Sequence, residues 1–231
     1  MQKKTKIILG TSAAVVVVLG VSAAAFGPAF YRDNIVGAPA AAPSVSAAPA
    51  DSTLDTSNLS GDWKIGAGST AGYRVAEVLN GTDVTVVGKT EDVSGTITVD
   101  GSTLKDATVK VDVGSIATDQ APRDDYFRGT AMEVSKYPDA TFQLTQPVDA
   151  AVPASGQVAT VQATGELTMH GVKQTVTVPL QAALTADGVQ VSGSIPVTFS
   201  DYGVEAPSLG FVSVQDKGTV EFLVKATPAK Q

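Results

Sequence analysis

From Gly61 to the end of the chain, apolar residues return at every second position. Ile97 and Val99 alternate with Thr96 and Thr98. Val109, Val111 and Val113 enclose Lys110 and Asp112. Val176, Val178 and Leu180 enclose Thr177 and Pro179. The rhythm continues through Val189 and Val191, then Ile195, Val197 and Phe199, then Val220, Phe222 and Val224. Period two is the repeat of a β-strand that buries one face and wets the other, and a helix of 3.6 residues per turn cannot bury such a set. Asn80-Gly81, Asp100-Gly101 and Asp187-Gly188 fall between runs, and such dipeptides accept the positive φ of tight hairpins. Many strands joined by short hairpins predict an all-β domain, an antiparallel sheet that closes or folds onto itself.

One stretch breaks the rhythm. Residues 119–139 read DQAPRDDYFRGTAMEVSKYPD. They predict a short helix with Asp119 as N-cap and Pro122 in the first turn. Tyr126, Phe127 and Met132 give it an apolar side, and Gly129 is placed to end it. A short helix in a meandering barrel closes an end or covers a gap.

The first sixty residues follow other rules. Lys3, Lys4 and Lys6 precede a stretch without charge, Ile7 to Phe26. As a helix it would span about 30 Å, the thickness of a bilayer's hydrocarbon. Its length favours a membrane anchor. Ala23-Ala24-Ala25 offers the alternative of a secretory signal cleaved near Ala25. In both cases the basic start stays inside, and the rest is expected outside the cytoplasm. Residues 31–60 are rich in Ala, Pro and Ser, without periodicity, and read as an extended linker. At about 3.1 Å per residue, its stretch 37–60 reaches at most roughly 75 Å. The expected organisation is therefore 1–30 signal or anchor, 31–60 linker and 61–231 barrel.

Composition narrows the chemistry. The chain has no cysteine, so thiolate metal sites, disulfides and nucleophilic thiols are excluded. A formal charge of −7 argues against nucleic acid as a partner. The carboxylates lack the spacing of a calcium loop, and no cofactor motif is present. The chain has one histidine, His170, which offers the base of a hydrolase. The plainer reading is a solvent-facing turn residue, since no nucleophile elbow accompanies it. Arg123 opens the irregular stretch, where it could meet an anionic head group at a barrel mouth or clamp the helix by an ion pair. Phe127, Phe142, Phe199, Tyr202 and Phe211 are the large side chains near loops. Each can pack a core, and as a set they can line an apolar pocket.

The order of these pieces resembles the YceI-like family, also called the polyisoprenoid-binding or lipid-binding YceI domain. The resemblance rests on Trp63-Lys64-Ile65, on Val93-Ser94-Gly95-Thr96-Ile97 and on Val111 to Ile116 leading to Arg123-Asp124-Asp125-Tyr126-Phe127. It continues in Tyr137-Pro138-Asp139-Ala140-Thr141-Phe142, Gly165 to Val172 and Phe199 to Gly203. It implies a lipocalin-like antiparallel barrel of about eight strands. It further implies that an apolar lipid, an isoprenoid chain such as a quinone or polyprenyl lipid, is held inside without catalysis. The N-terminal segment and linker resemble those of membrane-tethered actinobacterial-type members. Two other readings stand beside lipid binding: a cell-envelope module whose barrel is filled by its own side chains, and a hydrolase using His170. A homodimer is compatible with the sequence.

Overall fold

The structure, a computed structural model, describes residues 38–47, 59–79, 81–149, 156–208, 210 and 212–229. The expected anchor or signal lies outside the described residues, as does Phe211. Among the described residues no helix is long and apolar enough to cross a membrane.

The alternating runs form one antiparallel sheet. Its strands are β1 (Gly61–Ile65), β2 (Thr70–Leu79), β3 (Thr82–Thr90), β4 (Val93–Asp100), β5 (Thr103–Asp112), β6 (Asp139–Leu144), β7 (Val148–Asp149), β8 (Val158–Met169), β9 (Val172–Leu184), β10 (Val189–Thr198) and β11 (Val212–Pro228). β1 with β2, and β4 with β3, are halves of two long strands. Ile65 pairs with Gly95 and Ala71 with Thr90 along one continuing ladder. β7 is a short addition to β5. The ring closes because β11 pairs with β10 on one side and with β1 and β2 on the other. The result is the expected closed barrel of eight strands. Eight is the size at which the interior is filled by side chains or holds one small guest.

The turns follow the sequence signals. Leu79 pairs with Thr82 across Asn80-Gly81, and Gly81 has φ 80°. Met169 pairs with Val172 across His170-Gly171, with φ of 52° and 74°. Two left-handed residues in succession are the signature of a type I′ turn, which matches the twist of the strands it joins. His170 is thus at a turn, as expected, but it does not face solvent: its side chain packs inward and is 13% exposed. The β4–β5 and β9–β10 turns and the start of β1 form one rim, called upper here. The β2–β3 and β8–β9 turns and the 3-10 turn Phe199–Tyr202 form the lower rim.

At the lower end the barrel would gape, because β5 stops at Asp112 and β3 keeps β2 as its strand partner. Residues 113–138 fill that gap. Lys89 and Ala117 exchange backbone hydrogen bonds of 2.9 and 3.0 Å, and Val113 N donates to the Pro138 carbonyl at 2.9 Å. The helix α1 (Ala121–Tyr126) runs on into a π turn, Phe127–Ala131. Two local expectations differ. The N-cap is Gln120, not Asp119, because Asp119 is taken by Arg123 at 2.6 Å. Asp124 instead reaches back to Thr118 N and Oγ1, at 2.9 and 2.7 Å. Gly129 does not end the helical stretch but lies inside the π turn. That turn is closed by Met132 N donating to the Phe127 carbonyl, with Met132 buried in the core.

The outer wall departs from simple alternation. Ser192 and Glu221 face outward, yet they are 2% and 5% exposed. Part of the expected linker explains this. Residues 38–47 are extended and lie along the outside of β11. The Ala40 carbonyl accepts from Arg74 Nη2 at 2.6 Å, and Ser46 N donates to Gln190 Oε1 at 3.3 Å. Pro43, Val45 and Ala47 are half-buried and alternate with exposed neighbours, so this strap presents one side to the wall. Beneath it Arg74 grips Glu221 with two bonds, of 2.7 and 3.1 Å.

Candidate binding site

A barrel this rich in valine would be packed solid if its aromatic rings pointed to the axis. They lie against the wall instead, over residues without a Cβ. Phe222 stands opposite Gly193 and Tyr73 opposite Gly88 in the cross-strand register. A Cβ on Gly193 would stand 2.6 Å from the Phe222 ring, and one on Gly88 would stand 2.5 Å from that of Tyr73. Phe142 covers Gly165 and Phe199 covers Gly218 in the same way. Flattened rings leave the axis open.

The lumen that results has two compartments. The upper one is a cavity of about 230 Å³ with walls that include Trp63, Val109, Phe142, Leu180, Phe222 and Val224. Ser102 and Thr141 supply its polar side chains. The lower one, about 170 Å³, is walled by Tyr73, Val86, Phe127, Met169, Phe199 and Val214, among others. Ala71, Val111, Ala140 and Val220 line both, so the compartments adjoin along the axis with these four between them. Together they fall within the roughly 300–1,000 Å³ of small-molecule sites.

Polar groups gather at the lower end. Arg123, Glu77, Tyr126 and Glu205 line that compartment. Arg123 binds Asp119 at 2.6 Å and lies 3.9 Å from Glu77. Burial pushes the Tyr73 phenol up to about 12. Arg123 opposes the shift, while Asp124, Glu77 and Asp119 add to it. The phenol therefore remains a neutral donor throughout the physiological range. Its ring stacks on Phe127 with centroids 4.9 Å apart.

Of the residues expected at the site, Phe127, Phe199 and Arg123 line the lower compartment and Phe142 the upper. Tyr202 lines neither. It is 3% exposed, closed into the lower core cluster against which Phe199 packs. Phe211 is outside the described residues. Sequence reasoning missed Tyr73, Glu77 and Phe222. A signal for Glu77 was present, since Tyr73, Val75 and Glu77 share one face of a strand and put a carboxylate on the apolar side.

His170 stands apart from both compartments. Its Nδ1 donates to the Tyr202 carbonyl at 3.2 Å, and Nε2 faces Glu133 Oε2 at 3.3 Å. The Tyr137 ring meets it edge-on, 4.7 Å between centroids. Glu133 also has a left-handed backbone, φ 42°. Nε2 is buried and has no hydrogen-bond partner among the described residues. Among the described residues no hydroxyl is hydrogen-bonded to the imidazole.

Comparison with known proteins agrees with this geometry. A UPF0312 protein of Pseudomonas putida (strain GB-1) is 29% identical over 157 residues, which covers 63% of this chain and 71% of that protein. The solved structure of a polyisoprenoid binding domain from Saccharophagus degradans, implicated in plant cell wall breakdown, superposes with a TM-score of 0.59. It does so at 19% identity, over 72% of this chain and 98% of that one. BcnA of Burkholderia cenocepacia superposes with a TM-score of 0.51 at 25% identity, over 67% of this chain and 96% of that one. The family model described as the YceI-like domain matches residues 63–226, nearly the whole barrel, from Trp63 on β1 to Ala226 on β11, and the chain belongs to that family.

Proposed function

We propose that this chain holds an apolar lipid, an isoprenoid chain of quinone or polyprenyl type, inside the barrel, outside the cytoplasm and without chemical conversion. The observation that carries the reading is the lumen, two adjoining compartments of about 230 and 170 Å³ walled mainly by apolar side chains. A guest that moves from water into it gains about 25 cal/mol for each Å² of apolar surface buried. The tail takes the upper compartment, where almost nothing polar would be stranded. The head takes the lower, beside Tyr73, Glu77 and Arg123. The uncharged stretch Ile7 to Phe26 would keep the barrel at the membrane from which the lipid comes. The open lumen weighs against a barrel filled by its own side chains.

The test is direct. Purified full-length protein, extracted with organic solvent, should release an isoprenoid near one per chain by mass spectrometry. Consistent absence of any lipid at that level would overturn the reading. His170→Asn gives a second check, because asparagine tolerates the left-handed backbone of the turn. That variant should keep its lipid and its fold. A folded His170→Asn protein that has lost its lipid or accumulates an altered one would favour chemistry at the imidazole.

A further inference from the structure

The lower compartment contains a carboxylate that its surroundings do not explain. Glu77 stands on the inward register of β2, paired with Val84 of β3 and Val214 of β11. Its side chain is 9% exposed. Its charged partner, Arg123 Nη2, is 3.9 Å away, beyond hydrogen-bond reach, and the same guanidinium gives its short bond to Asp119. Among the described residues no donor is hydrogen-bonded to the Glu77 oxygens. The side chain is nine-tenths buried and lines the compartment, so a donor on a guest there can reach its oxygens.

We propose that Glu77 selects the head group: the lumen takes an isoprenoid whose head is uncharged and carries a hydroxyl, and turns away prenyl phosphates and diphosphates. The proposal rests on the lipid-binding reading and specifies its ligand. Two facts point the same way. A carboxylate accepts hydrogen bonds and donates none, so it rewards a hydroxyl and nothing on an ether or a phosphate ester. The charge at the compartment is wrong for an anion. Glu77 and Glu205 line it against one cation, Arg123, and Asp119 already occupies that cation. A phosphate placed there would be buried beside like charge without a free partner. Tyr73 adds a neutral donor on the same face as Glu77, suited to the oxygen of an alcohol.

The experiment uses delipidated full-length protein titrated with geranylgeraniol, its methyl ether and geranylgeranyl phosphate. The wild type should prefer the alcohol to each of the others by about tenfold or more. Glu77→Gln, which keeps an acceptor and removes the charge, should narrow the gap between alcohol and phosphate about fivefold or more. Glu77→Leu should erase the preference of alcohol over ether. Phosphate binding as tightly as alcohol in the wild type, or an unchanged gap in a folded Glu77→Gln protein, overturns this proposal and leaves lipid binding standing. Failure of all three probes overturns lipid binding itself. Should both variants fail to fold, the wild-type series with its three heads decides alone.

Discussion

Valine in place of Gly193 should cut lipid affinity about 50-fold and leave the barrel folded. Gly193 lies on the inward register of β10, directly opposite Phe222. A Cβ there would come within 2.6 Å of Phe222 Cζ and 3.1 Å of Leu180 Cδ2. Both neighbours are side chains, so they can give way, and the open direction for the ring is the upper compartment that it lines. A ring swung into the lumen would deny the guest on the order of 100 Å² of apolar contact, about 2.5 kcal/mol. Valine suits a strand, and the overpacking penalty is about 1–3 kcal/mol, tolerable in a barrel with room inside. The measurement is lipid content on purification, with a titration of delipidated protein, beside thermal unfolding. Adding Phe222→Leu should restore most of the affinity by returning the space. Undiminished binding in the single variant would mean that the guest lies elsewhere than along this axis.

That prediction also marks the boundary of what local sequence discloses. The barrel was legible because its burial is one-sided: Val220, Phe222 and Val224 cannot share a face in any repeat but that of a strand. The Asn-Gly and Asp-Gly pairs added the hairpins, and hairpins in series leave a meander that must close. The void was not legible in the same way. Phe222 reads as a core aromatic until the register puts it opposite Gly193, and that register is set by a ladder joining all of β10 to residues 217–226 of β11. Arg123 was recognisable as a residue at the mouth. Its neighbour Glu77 is harder to read, because a glutamate in a strand is ordinarily a solvated one, although Tyr73 and Val75 mark its face as the inner one. Phe199 and Tyr202 stand one 3-10 turn apart, and only tertiary packing decides that Phe199 lines the lumen while Tyr202 is closed into the core. Nothing near Glu221 in the sequence signals its burial. What covers it is chain more than 170 residues earlier, and the apolar side of that strap is only Pro43, Val45 and Ala47.

The same strap makes Arg74 the position where one exposed-face substitution should cost most. Arg74→Ala is expected to destabilise the domain by about 3 kcal/mol or more, the usual result of leaving one member of a buried ion pair alone. Arg74 is two-thirds or more buried and Glu221 nearly all, and two bonds of 2.7 and 3.1 Å join them in the fork geometry that arginine makes with a carboxylate. Removing the guanidinium strands the Glu221 carboxylate beneath the strap and removes the Ala40 anchor along with it. For a domain of this size the loss corresponds to a fall in Tm of roughly 6–12 °C. Hydrogen exchange should report a second effect, faster exchange across residues 38–47, which a pair acting only between β2 and β11 would not produce. The double variant Arg74→Met with Glu221→Leu separates charge from packing. With no carboxylate left to strand, it should recover most or all of the stability, since apolar side chains of similar size replace buried ion pairs at little cost. An Arg74→Ala protein as stable as the wild type would show that water reaches Glu221 freely, and with it that the strap does not hold to the wall in solution.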